Sequence, residues 1–260
     1  MHHAFIDRQS EIDSPIHRLD PRIKVVGFGL LIVSVILMDV ISFRVFGLLA
    51  GLLLVLVVSS HVPLPFILKR SLVIVPFSVM IAVFLPFMTE GAPLWRVEFS
   101  VFSLKVTEEG IRLFTNIVAK SFFSVISVIL LTSTTRFPDL LKALEKLKCP
   151  QVMILIFSFM YRYVFVVEDE FMKMRQAKKS RSIHHSWWPE VTCLSNMIAV
   201  LFLRSYERAE AVYLAMCSRG FKGSVSYHSE FRLTFGDMVF LAVIVLSLAA
   251  IRYIEYIHVQ

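Results

Sequence analysis

Long apolar runs leave a chain few ways to fold, and they recur here at 25–38, 46–59, 72–88, 117–131 and 238–251. A helix needs about 20 mainly apolar residues to cross a bilayer core of about 30 Å, so runs of this length span with help from their flanks. Composition agrees: 57% of the 260 residues are hydrophobic and 18% are charged, against about 45–50% and about 25% in soluble domains. The chain therefore reads as an all-α, polytopic membrane protein in contact with a lipid bilayer. Its net charge of +7 is not read as nucleic-acid binding, because Lys and Arg collect in the cytoplasmic segments of membrane proteins.

Local signals mark the helix ends. In SPIHRLDPRIK (14–24), Asp20 can cap a helix whose first residue is Pro21. Gly47 and Gly51 make a GxxxG spacing, read either as a site of close helix approach or as chance in a Gly-, Ala- and Leu-rich span. Pro76 and Pro86 predict a kink or a re-entrant shape. The polar stretch 89–112 alternates weakly, which fits a short hairpin or a surface loop. Lys120 lies near the start of its span and can snorkel to the interface.

The stretch from 136 on differs in character. FPDLLKALEKLKCP (137–150) is a short amphipathic helix, with Leu140, Leu141, Leu144 and Leu147 opposite Lys142, Glu145, Lys146 and Lys148. The apolar run 152–167 carries Arg162 in its middle. It is flanked by basic stretches at 136–148 and 173–181, and a single crossing would put one of them outside. It is expected not to cross. It lies on the membrane face and continues as one long helix, where Val164, Val167, Phe171 and Met174 hold one stripe. A third helix runs from about 189 to 218. Phe202, Tyr206, Ala209, Tyr213 and Met216 repeat in it at 4-3-4-3 spacing, a predicted packing stripe for a partner helix. Gly220 is placed to end it at the C′ position, and Arg219 suits the negative helix end. The predicted organisation is four transmembrane spans in 1–135, cytoplasmic helices in 136–232 and a C-terminal transmembrane helix in 233–260. That makes about five spans, with the N-terminus cytoplasmic and the C-terminus outside.

Catalytic chemistry is not visible. The chain has no GxxxxGK[ST] and no HExxH, and no span carries an acid pair or a chain of Asp, Glu and His. Asp39 sits at a span end and reads as interfacial. His2 and His3 read as a loose metal site with the free amine or as a disordered terminus. His184 and His185 read as a solvated turn, with Trp187 and Trp188 anchoring it. Cys149, Cys193 and Cys217 have neither CxxC nor zinc spacing and are expected to stay reduced. No signal peptide is visible. The reading is a protein with no catalytic residues, no metal site and no cofactor of its own. What stands out is Ser180-Arg181-Ser182 and Ser218-Arg219-Gly220, each an Arg between small residues at the end of a charged helix. A lone motif reads as an Arg serving its own helix dipole. Two of them favour guanidinium forks exposed for bidentate docking on a carboxylate of another protein.

Three segments carry a family resemblance: SPIHRLDPRIK, TTRFPDLLKALEKLKCP (134–150) and RSYERAEAVYLAMCSRGF (204–221). The chain resembles the transmembrane coupling (T) component of energy-coupling factor transporters, the vitamin and transition-metal importers of prokaryotes. The resemblance implies a multi-pass protein of the cytoplasmic (inner) membrane with long amphipathic coupling helices. It implies two ATP-binding-cassette ATPase partners that bind ATP-Mg, and a separate membrane subunit that captures the substrate. Family members carry Ala-Arg-Gly-like signatures that dock into the ATPases. Carried over, these are Ser180-Arg181-Ser182, which departs from the pattern at both flanks, and Ser218-Arg219-Gly220, which departs at one. The opening AFIDRQSEIDSPIHRLDPR is similar to the cobalt-type branch, which implies cobalt or nickel uptake linked to cobalamin synthesis. The alternatives are the T component of a vitamin transporter and a self-sufficient secondary carrier. The latter needs internal repeats and mid-membrane polar groups, and neither is seen.

Overall fold

The structure is a computed structural model and describes residues 14–38, 43–89, 93–99, 102–181, 187–223 and 234–259. These residues form nine α-helices and one β-hairpin. They divide into two compact units. One takes the described residues up to Leu140 and from Thr234 on, and the other takes those from Leu141 to Gly223.

In the first unit, α1 (Pro21–Leu37) starts as its sequence dictates. The Asp20 carboxylate accepts the Arg22 N–H at 2.9 Å, and Pro21 occupies the first turn. Its buried row is Lys24, Phe28, Leu31, Val35 and then Met38, a 4-3-4-3 repeat that turns one face to the core. The last helix, α9 (Phe235–Val259), packs on that row and runs parallel to α1. Asp20 meets Asp237, and Phe28 meets Phe240 with ring centroids 6.3 Å apart. At Gly27 the approach is close: a Cβ there would stand 3.1 Å from Ile244 Cδ1. In contrast, α5 (Glu108–Thr134) runs antiparallel to α1. Near one end Lys24 Nζ donates to Thr134 O at 3.0 Å. Near the other, Lys120 Nζ donates to the α1 end carbonyls of Ile36, at 3.4 Å, and Met38. Lys120 thus serves as a cap for α1.

The core is completed by α2 (Phe43–Ser60), which buries Leu49, Leu53, Leu56 and Val57. A Cβ on Gly47 or Gly51 would meet nothing within 4 Å, so the GxxxG spacing serves no close approach within this unit. Pro76 lies inside α3 (Leu64–Ala82), whereas Pro86 falls in the first turn of α4 (Leu85–Met88). The helix therefore breaks at Val83–Phe84. Strands β1 (Pro93–Phe99) and β2 (Phe102–Thr107) pair antiparallel with Phe99 opposite Phe102, adding a small hairpin to the helical plan. Thr107 then caps α5, accepting the Gly110 N–H at 3.3 Å and donating to Thr89 O at 3.1 Å. A Cβ on Gly110 would lie 2.6 Å from Pro86 Cα. The end of α4 thus abuts the start of α5, at the end of the unit where α1 also finishes.

Among the described residues four helical stretches are long and apolar enough to cross a membrane: Leu64–Phe87, which takes in α3 and α4, Glu108–Thr134, Gln151–Arg181 and Phe235–Glu255. The expected spans differ from this set at three helices. They include α1, which has 17 residues, and the apolar helix Arg44–Ser60, which is also shorter. A helix of that length is about 26 Å long, a little under the hydrocarbon core. They also leave out 152–167, which belongs to a helix that passes on length and composition.

The boundary between the units falls within α6 (Phe137–Lys146). This helix closes without glycine. Lys148 adopts φ 66°, the Cys149 N–H reaches Leu144 O at 3.1 Å and the Lys148 N–H reaches Glu145 O at 3.1 Å. The second unit is dominated by two unbroken helices, α7 (Gln151–Arg181, 31 residues) and α8 (Trp187–Ser218, 32 residues). The apolar run at 152–167 and the charged stretch that follows it are one helix, as their shared stripe predicts.

Candidate docking site

The two candidate signatures lie at the C-terminal ends of α7 and α8, so the pairing of these helices decides where each Arg stands. The pairing is antiparallel. One groove between them, of about 470 Å³, is lined by Leu155 and Phe159 near the start of α7 and by Met216 and Phe221 at the end of α8. A second groove, of about 440 Å³, is lined by Lys178 and Arg181 at the end of α7 and by Pro189 and Glu190 at the start of α8. Ion pairs cross the seam. Arg204 Nη1 meets Glu170, and Lys178 Nζ meets Glu190 at 3.2 Å. At 1.5 Å of rise per residue, helices of this length hold their two C-terminal ends roughly 45 Å apart.

The α8 end is built by a Schellman closure. Gly220 takes φ +81°, its N–H reaches Cys217 O at 3.0 Å, and the Phe221 N–H reaches Met216 O at 3.0 Å. Phe221 and Met216 line the same groove, so the hydrophobic partner contact of this motif is available as well. Gly220 is therefore the C′ residue that its position in the sequence suggests. Ser218 Oγ donates back to Leu214 O at 2.9 Å, and Ser180 Oγ to Gln176 O at 3.1 Å. Both hydroxyls are turned onto their own helices. Arg181 and Arg219 are exposed, and among the described residues neither is paired with a carboxylate. Ser182, like His2, His3, Asp39, His184 and His185, lies outside the described residues.

The packing stripe lands differently from expectation. Ala209, Tyr213 and Met216 line the first groove, but Phe202 and Tyr206 are 74% and 63% exposed. The row turned to α7 runs through Leu201, Ser205, Val212 and Met216, one position earlier at its start. Leu201, Phe202 and Leu203 are consecutive and all apolar, so spacing alone does not phase the helix. The Tyr213 hydroxyl shares a hydrogen bond with Cys217, one turn on, which pushes the phenol above its ordinary value. Cys217 is exposed, Cys149 and Cys193 are partly covered, and all three are free. Among the described residues no group of three His, Cys, Asp or Glu could hold a metal ion.

Sequence reasoning missed a second polar cluster, at the start of α1. Asp20, Lys24 and Asp237 are 6%, 2% and 1% exposed; the Asp20 N–H donates to Asp237 at 2.8 Å, and Lys24 Nζ donates to Thr134 O at the end of α5 at 3.0 Å. The available signal was Lys24 standing in phase with Phe28, Leu31 and Val35, a charge on the row that packs.

The family described as CbiQ, cobalt transport protein, matches residues 13–229. The chain is similar to an uncharacterized protein of Methanocaldococcus jannaschii, 26% identical over 245 residues, or 91% of this chain and 82% of that protein. It is 30% identical over 226 residues to the energy-coupling factor transporter transmembrane protein EcfT of Streptococcus thermophilus, covering 82% of this chain and 83% of that one. To EcfT of Ruminiclostridium cellulolyticum it is 25% identical over 258 residues, 94% of each.

Proposed function

Since this chain belongs to the CbiQ family and is a non-catalytic transmembrane coupling subunit of an energy-coupling factor transporter, we propose that Arg181 and Arg219 dock it onto two ATP-binding-cassette ATPases. The observation that carries this is the pair of exposed guanidinium groups, without a carboxylate partner among the described residues, at opposite ends of one antiparallel helix pair. A fork of this kind binds a carboxylate bidentately. Ser180, Ser218 and Gly220 keep the neighbourhood of each Arg low, and Ser182 extends the first signature. Closure of the ATPases on ATP-Mg moves the docked ends, and the long helices carry that motion to a membrane subunit that captures the substrate. This chain then supplies no cofactor site of its own. The domain plan in this reading is a membrane region at 1–135, coupling helices at 136–232 and a membrane helix at 233–260.

In this reading charge bias puts the N-terminus on the cytoplasmic side of the inner membrane, and the parallel course of α1 and α9 fits a C-terminus outside. The end of α5 and the starts of α1 and α9 lie together, so 135–233 leaves and returns on one side. A crossing by α7 would need a second one by α8, which bears Arg204, Glu207, Arg208 and Glu210 and is not among the candidate spans. The family description, cobalt transport protein, favours cobalt ion as the cargo, and the resemblance of the opening segment extends this reading to nickel and to a link with cobalamin synthesis.

Co-purification with the ATPases from cells expressing the whole transporter tests the reading. Arg219→Glu is expected to abolish it, and Arg181→Glu to weaken it. An Arg219→Glu protein that keeps both the complex and uptake would overturn docking. Uptake of labelled cobalt ion by the same complex reads the cargo, and uptake of a vitamin instead moves it to the vitamin branch. Transport by this chain alone in liposomes would replace the reading with a secondary carrier.

A further inference from the structure

The coupling segment proposed above runs between the end of α5 at Thr134 and Thr234, just before α9, and these two points, its roots, both belong to the first unit. Both roots are held by one buried cluster at the start of α1. At the departing root, Lys24 Nζ donates to Thr134 O at 3.0 Å and to His17 O at 3.0 Å. The adjacent carbonyl of Ser133 meets His17 Nε2 at 3.2 Å. At the returning root, Asp237 Oδ2 accepts the Thr234 N–H at 2.7 Å, while its Oδ1 accepts the Asp20 N–H at 2.8 Å. Asp20 and Lys24 are one helical turn apart. The single positive charge of Lys24 lies among Asp20, Asp237 and Asp139, the last of these in the first turn of α6.

Burying charges is costly, and hydrophobic residues of similar volume are often as stable in place of a buried ionic group. What such a group supplies instead is a fixed geometry among the backbones it joins. Here those backbones are the two ends of the segment that carries Arg181 and Arg219. A lever held at one root would swing about α5 alone. Held at both, it moves α1, α5 and α9 together.

We infer that Asp20, Lys24 and Asp237 form a clasp that closes the root of the coupling segment and transmits its motion to the membrane unit. They are positioning residues for coupling and touch neither ATP nor substrate. The inference rests on the coupling reading above.

The test uses the full complex of this chain with its ATPases, with Cys149, Cys193 and Cys217 replaced by Ser. Spin labels are placed on Leu30→Cys of α1 and Leu72→Cys of α3, both exposed. Without the clasp changes, MgATP is expected to alter the distance between the labels. Lys24→Met and Asp237→Asn are each expected to co-purify with the ATPases and hydrolyse ATP at the unaltered rate, but to lose that distance change. Lys24→Arg, which keeps the donors, is expected to restore part of it. Full retention of the distance change in both variants overturns the clasp. So does its absence before the clasp is altered, and so does failure of both variants to assemble, which would assign the cluster to folding alone. If the unaltered chain does not bind ATPases, it is the docking reading that falls, and that result is distinct from the others.

Discussion

At the scale of single residues, two glycines show opposite reasons for lacking a side chain. Gly220 faces open space, but its φ of +81° belongs to the left-handed region that other residues adopt at a cost of about 1 kcal/mol. Gly110 has an ordinary backbone but no room, with Pro86 Cα 2.6 Å from where a Cβ would stand and Leu85 O at 3.1 Å. Both neighbours are backbone atoms and cannot rotate away. Gly110→Ala is therefore expected to lower stability by about 1–3 kcal/mol, seen as a lower melting temperature in detergent. Gly47→Ala, where nothing lies within 4 Å, is expected to leave the melting temperature unchanged. From sequence, Gly220 could be assigned because a helix end states its own chemistry nearby. Gly110 could not, since the atoms that crowd it come from another helix. The same holds for Lys24, whose acceptor on Thr134 is 110 residues away and is a backbone carbonyl that no side-chain pattern encodes.

At the scale of elements, the α7–α8 pair is held by an apolar seam and by exposed ion pairs such as Arg204 with Glu170 and Lys178 with Glu190. Ion pairs in water-accessible positions contribute about 0–1 kcal/mol each, so the seam carries the association. The two rows of α8 can be told apart by experiment. Val212→Asp, on the row that faces α7, is expected to separate the helices and lose a cysteine cross-link engineered across the seam. Phe202→Asp, on the exposed row, is expected to keep that cross-link. The reverse result would restore the stripe read from spacing. The long helices themselves were legible: α7 as one continuous helix from its shared stripe, α8 from its charge pattern and its glycine stop. Their contact face was not, because a helix that is greasy at Leu201, Phe202 and Leu203 presents more than one plausible seam. The break at Pro86 was legible as a kink. Which proline would break the helix was not, since Pro76 is equally a proline but stays within α3.

At the scale of the whole molecule, the parallel course of α1 and α9 is the fact that bears most on topology. In the proposed topology charge bias puts both ends of 135–233 on one side, and the contacts of Asp20 with Asp237 and of Lys24 with Thr134 agree by bringing the end of α5 to the starts of α1 and α9. A single cysteine placed after Val259 is expected to react with a membrane-impermeant reagent added outside intact cells. Protection there, with labelling only after lysis, would mean that the topology has one crossing more or fewer. The antiparallel pair has one more consequence. Two helices of 31 and 32 residues, laid head to tail, are related by an approximate two-fold axis through the middle of their seam. That axis carries the C-terminal end of α7 onto the C-terminal end of α8, and with it Arg181 onto Arg219. A single chain can thus present a nearly symmetric face to a partner that is a symmetric dimer, as most homo-oligomers are. Each half of such a dimer would meet an equivalent Arg, and a swing of the two halves would reach the helices as a balanced torque.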